Sequence, residues 1–277
     1  LLQPDEVLRR AAAAATALES ARYTLTGDVS FQGDGGTSQF HLALQGILRD
    51  AGRESQTTAH VTGTAALGGE RSSVDSTIEL LAASPTDVFV RMQSLALTPP
   101  HSLLSSEQFQ SLIGRWWRVP AAEGQAPTPV TPDPSLLRAQ AETVRVVKDH
   151  GVRNVSGGQA YVYDVTLDRE KMLLFMQKSA ETRGQPFKED DARSFLESFD
   201  ATGELQIDAA TFVIRRVSWD IVPQSVSDKD FTASITVEFT DHGNAPSITP
   251  PKGAEPLSLE TVLEALSGAS IPPLPHG

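Results

Sequence analysis

Apolar and polar positions along this chain follow two periods. Val7, Leu8, Ala11, Ala14, Ala15 and Leu18 recur at helical spacing behind Asp5, which can cap a helix over 4–20; the alanine run favours that helix further. From 21 the period drops to two. Tyr23, Leu25, Gly27, Val29 and Phe31 share one side of a strand over 21–32, with Arg22, Thr24, Thr26, Asp28 and Ser30 on the other. Gly33-Asp34-Gly35-Gly36 supplies a hairpin turn, because glycine tolerates positive φ. The returning strand sets Phe40, Leu42, Leu44 and Leu48 against His41, Gln45 and Arg49. Segments 55–67, 70–82 and 86–96 repeat the alternation across short links, which predicts an antiparallel meander.

Thr98-Pro99-Pro100 breaks the pattern, and a short helix over 105–113 and a brief strand over 114–119 follow. Five prolines between 120 and 134 predict an irregular loop, and Asp133-Pro134 opens a helix reaching about 144. Lys148-Asp149-His150-Gly151 reads as a polar turn. Strands are then expected over 152–155, 159–167, 203–208, 211–222 and 230–241. The last sets Phe231, Ala233, Ile235, Val237 and Phe239 on one side. Between the second and third lies a helical insertion, 169–181 behind Asp168 and 189–199. The fold class is α+β, mainly antiparallel β. One domain is expected over 1–245, with a proline-rich tail over 246–277 holding a short helix near 257–266.

Charge narrows the function. A net charge of −12 argues against nucleic acid, whose phosphates need clustered Lys and Arg, and against adsorption to an anionic membrane by charge alone. Without cysteine there are no disulfides, thiolate metal sites or cysteine nucleophiles. No run of about 18 apolar residues marks a membrane-spanning helix. The six histidines never pair at metal-ligand spacing, no catalytic motif occurs, and no cofactor is called for. Asp149-His150 and the acidic residues Asp190, Asp191 and Asp200 read as a turn and a solvated helix face rather than as catalytic groups. An enzyme is therefore not expected.

Two features stand out. Many strands carry one apolar face, and few helices are available to cover it; either they cover it fully, or they leave a gap that a ligand fills. The segment Lys171-Met172-Leu173-Leu174-Phe175-Met176 is apolar nearly all round a helix and holds two of the three methionines, which suits either a deeply wedged helix or a ligand wall. In Trp116-Trp117 one ring should be buried and its neighbour should sit at a surface or rim.

The order of elements carries a resemblance. An N-terminal helix leads into Ser20-Ala21-Arg22-Tyr23-Thr24-Leu25-Thr26-Gly27. Gly114-Arg115-Trp116-Trp117-Arg118-Val119, then 152–165, Gly203-Glu204-Leu205-Gln206-Ile207-Asp208 and Ile214-Arg215-Arg216-Val217-Ser218-Trp219 follow. Over about 4–242 this resembles the LolA/LppX-like superfamily of periplasmic lipoprotein and lipid carriers, its mycobacterial lipoprotein branch in particular. The resemblance implies a strongly curved half-barrel with helices across its concave face and an apolar cavity holding acyl chains. The cavity candidates are Tyr23, Leu25, Val29, Phe31, Phe40, Leu42, Leu44, Trp116, Tyr161, Tyr163, Met172, Phe175, Met176, Ile235 and Val237, with the insertion over 168–199 as a lid. It implies a lipid or acylated ligand and an extracytoplasmic place, in periplasm or at the cell surface. Membrane association is expected only through an N-terminal lipid anchor, whose cysteine this sequence does not contain. A second reading is an envelope sensor or scaffold whose groove binds a protein partner, and a third a surface protein whose sheet is packed shut.

Overall fold

The structure is a computed structural model. It describes residues 2–33, 36–50, 53–67, 69–84, 86–100, 107–119, 138–139, 141–182, 186–224 and 230–257. Helix α1, Pro4–Thr16, opens with proline in its first turn, where a missing N–H costs nothing. Gln3 stands at the cap without a side-chain hydrogen bond, so the expected Asp5 cap is not made. Asp5 lies instead with Glu6 inside the first turn, where negative charge suits the helix dipole. Arg9 and Arg10 both donate to Glu6 and hold its carboxyl down at about 2. The helix stops four residues short of expectation, yet Leu18 beyond it is still buried.

Strands β1 (Ser20–Gly33), β2 (Gly36–Arg49), β3 (Glu54–Leu67), β4 (Glu70–Ser84) and β5 (Asp87–Thr98) form the predicted meander. After a short helix α2 (Glu107–Leu112) come β6 (Trp117–Val119), β7 (Val144–Val155) and β8 (Gly158–Leu167). Helices α3 (Arg169–Thr182) and α4 (Glu189–Glu197) then lead to β9 (Phe199–Asp208), β10 (Ile214–Pro223), β11 (Asp230–Thr240) and β12 (Glu255–Pro256). All twelve strands join one sheet in the order β12-β6-β5-β4-β3-β2-β1-β11-β10-β9-β8-β7. The sheet is curved and unclosed, and every neighbouring pair is antiparallel except β12 beside β6. The first strand is thus the seam: β1 pairs with β2 on one side and with β11 on the other.

Around 133–155 one expectation holds and one is corrected. The helix expected to reach about 144 is present at 138, 139, 141 and 142 and ends just before β7 starts at Val144; its first residues lie outside the described ones. Lys148–Gly151 is not a turn between elements. It is taken up within β7 as register irregularities against β8, with Gly151 at φ 70 and its N–H donated to the Asp149 carboxylate at 2.7 Å. Strand β12 had no signal in the pattern, being two residues long. The hairpin tip at 34–35, the proline loop over 120–134 and the tail helix after Leu257 lie outside the described residues.

Residues opposite one another in an antiparallel pair point to the same face, so register converts directly into rows. One row runs Tyr163, Leu205, Val217, Val237, Leu25, Leu44, Ala59 from β8 to β3. Helix α1 lies on this face, with Val7, Leu8, Ala11 and Ala15 buried in the same core as Tyr23, Leu44, Leu48, Tyr163, Leu205, Val217 and Phe239. Small alanines let the helix sit close on the strands, and Arg10 at its exposed side covers the Phe212 ring at 5.0 Å.

An open groove on the helix-covered face

The same face continues past the helix, where no described residue covers it. Along β1 the inward side chains go from 2 % exposed at Tyr23 to 46 % at Phe31, although the alternation never breaks. At this uncovered end lies a groove of about 760 Å³. Six strands line it with three consecutive residues each, and the middle residue of each triplet belongs to one row: Ile221, Ala233, Val29, Phe40, Gly63, Val74. Parity along β1 puts this row on the face of Tyr23, so groove and core are successive stretches of one surface.

Aromatic rings over glycines shape that surface. A Cβ at Gly63 would come within 2.5 Å of the Phe40 ring, so the ring lies flat across the bare backbone of the neighbouring strand. Nearer α1, the Tyr23 ring does the same over Gly46 and reaches Thr57 on the strand beyond, hydroxyl to hydroxyl at 2.5 Å. Burial pushes the Tyr23 hydroxyl up to about 12, the Thr57 contact pulling weakly the other way. Burial, then nearby Asp149, also raises Tyr163, whose hydroxyl finds no hydrogen-bond partner.

The predicted cavity residues divide into five groups. Val29 and Phe40 line the groove. Phe31 stands at its lip, 5.2 Å from Phe231, and Ile235 is half-buried one row inward. Tyr23, Leu44, Tyr161 and Tyr163 are buried in the core, with Leu25, Leu42 and Val237 packed against it. Trp116 is on neither surface: it stacks under the Arg91 guanidinium at 4.7 Å, while Trp117 is the buried ring and donates its indole N–H to the Leu112 carbonyl at 3.1 Å.

The helical insertion forms the fifth group. Leu173, Ala192 and Leu196 are buried between α3 and α4, with Met172, Met176, Phe187 and Phe199 packed around them as a cluster separate from the main core. Phe175 is half-buried, and none of Met172, Phe175 or Met176 lines the groove. The apolar surround of α3 is used on its partner helix instead, and Leu174 is left exposed. Arg169 fastens the hairpin to the sheet by donating to the Leu196 and Phe199 carbonyls and to Asp200. Phe199 pairs with Pro223, two residues beyond Ile221, so the hairpin leaves the sheet at the groove's end.

Charge is sparse and one-sided. The groove lining contains Asp28, Asp75 and Asp220 and no Lys or Arg. Their side chains alternate away from the apolar row, and His41 meets Asp28 at 2.8 Å and His60 meets Asp75 at 3.0 Å across neighbouring strands. A smaller recess of about 350 Å³ includes Arg215, Arg216 and His242. Arg215 is already paired with Asp208. Burial alone would raise the Asp208 carboxyl, but the Thr211 and Ala210 N–H groups and Arg215 bring it below the usual range. Burial also lowers His242. His150, which a triad would need, meets Asp164 at 2.9 Å. Among the described residues no group of three His, Asp or Glu could hold a metal ion, and no helix is long and apolar enough to cross a membrane.

Fold and groove together define an open β half-barrel, plugged by a helix at one end and, among the described residues, bare at the other. No family model matches the chain, and no curated protein matches its sequence. Among solved structures, the lipoprotein LppX of Mycobacterium tuberculosis is similar over 89 % of this chain and 98 % of its own, at 13 % identity and TM-score 0.35. LprF from Mycobacterium bovis is similar over 90 % and 97 %, at 12 % identity and TM-score 0.44. A DUF1329 family protein from Desulfovibrio piger overlaps 88 % and 93 %, at 10 % identity and TM-score 0.22. With every TM-score below 0.5, these superpositions say nothing of the groove or its contents.

Proposed function

We propose that this chain binds the acyl chain of a lipid or acylated molecule in the open groove, without catalysis, as an extracytoplasmic carrier. The observation that carries the reading is the row Ile221, Ala233, Val29, Phe40, Gly63, Val74: an apolar floor shared by six strands beneath about 760 Å³ of space. That size falls within the roughly 300–1,000 Å³ of small-molecule sites, and a packed sheet would leave almost none. Each methylene moved from water onto such a floor gains about 0.8 kcal/mol. A flexible chain needs no fixed polar partner, and the apolar row offers none.

The test is uptake of a pyrene-labelled fatty alcohol, a neutral single chain, followed by fluorescence. Val29→Asp sets a carboxylate in the middle of the floor and is expected to weaken uptake at least about tenfold, roughly 1.4 kcal/mol. Uptake by the unaltered chain that Val29→Asp leaves unchanged would remove the groove from the account. A clean apo mass in native mass spectrometry, with no uptake at all, would favour a sensor that takes a peptide there.

A further inference from the structure

We infer that the aromatic lip of the groove is a docking surface for the interface of a neutral or zwitterionic lipid bilayer; the inference rests on the lipid-binding reading and adds where the protein meets its source of lipid. Among the described residues six large hydrophobic side chains are exposed: Phe31, Phe40, Val147, Leu174, Phe195 and Val222. Four of them lie toward one end of the molecule. Phe31 and Phe40 belong to the lip and floor, and Leu174 and Phe195 stand on the hairpin that leaves the sheet there, whereas Val222, next to Ile221 on β10, turns to the opposite face. Scattered exposed hydrophobics need no explanation, but a gathered set marks an interaction surface.

The lip is also lopsided. Phe195 meets Phe199 edge-on at 5.3 Å, Phe199 pairs with Pro223, and Phe231 pairs with Phe31. On the other wall the same row reads Ser38, Ala65, Ser72. One side of the mouth is therefore a ridge of phenyl rings and the other a low polar bank, so an acyl chain can enter over the bank while the ridge is held in the bilayer. Exposed phenyl rings leave water by burying at the boundary between headgroups and acyl chains. The net charge of −12, with no Lys or Arg in the described groove lining to attract phosphate, sets the surface chemistry: an anionic leaflet is repelled and an uncharged one is not.

Flotation with phosphatidylcholine vesicles tests this. The unaltered chain is expected to float with them, and replacing a third of the lipid by phosphatidylglycerol should lower the bound fraction. The double variant Leu174→Ser, Phe195→Ser, on the hairpin and clear of the groove lining, should bind phosphatidylcholine vesicles at least about tenfold more weakly while taking up dispersed pyrenyl fatty alcohol as before. Phe31→Trp supplies a readout that does not depend on loss: its emission should shift to the blue when vesicles are added. Absence of flotation with fatty-alcohol uptake intact would overturn the docking surface and leave the binding reading standing, whereas failure of uptake itself would remove both. A concentration-dependent dimer abolished by the double variant, without vesicle binding, would assign the lip to a second copy and overturn the proposal.

Discussion

The two ends of β1 have the same pattern and opposite fates. Ala21 and Tyr23 are sealed beneath α1, whereas Val29 and Phe31 on the same face and strand line an open groove and its lip. The strand supplies an apolar surface at both ends, and the helix decides which part becomes core. With 13 residues at about 1.5 Å each, α1 is some 20 Å long, which is shorter than a 14-residue strand. A helix laid across such strands cannot cover their whole length.

The largest effect that sharpens this contrast is on stability. Leu205→Ala, at a side chain with no exposure inside the core, should cost about 2–5 kcal/mol through lost transfer and an uncollapsed cavity. Val29→Ala on the groove floor removes a side chain already facing open space and should cost less than about 1 kcal/mol. Urea unfolding of both variants measures the difference. Equal losses would mean that the groove is packed like the core.

All strands but β12, and their alternation, were legible in the sequence because register follows a period of two. Tyr23, Leu44 and Phe40 were correctly placed on one side of their strands by that rule alone. Whether the side was dry or open was not legible, because it depends on how far α1 reaches. Tyr161 and Tyr163 looked like cavity walls and are core for this reason. Met172, Phe175 and Met176 were misread because a helix that is apolar all round shows only that it has neighbours, and α4 is the neighbour. Gly63 was passed over altogether, yet its missing side chain is what lets Phe40 lie flat. The signal, an aromatic and a glycine facing across a hairpin, was available once the β2–β3 register was drawn.

A middle-sized effect separates the ends by pH. Tyr23→Phe strips Thr57 of its partner, leaving a buried hydroxyl, and should cost about 1–3 kcal/mol near neutrality. Because burial raises Tyr23 from 10.0 to about 12, the folded state favours the neutral phenol. Its contribution is fully present below pH 10 and is lost as the pH climbs through 12. The phenylalanine variant should therefore lose less stability than the parent over that window. Tyr163, raised in the same direction, keeps some of the loss in both proteins. Stability measured from pH 9 upward gives the two slopes, and parallel slopes would contradict a sealed Tyr23.

The smallest effect decides which face of β1 holds the ligand. Asp28 and Val29 are neighbours in the groove lining, one turned toward each face of the sheet. The Asp28–His41 pair is half-exposed, a setting in which ion pairs contribute about 0–1 kcal/mol. Asp28→Asn should therefore move the urea midpoint only slightly and leave fatty-alcohol uptake unchanged, against the large loss expected of Val29→Asp. Were the ligand seated on the outer face, the order would reverse, since the neutral amide would sit against it and Val29 would face away. Two adjacent positions with opposite outcomes would fix the ligand to the face that α1 covers, because no displacement of the whole strand can affect one and spare the other.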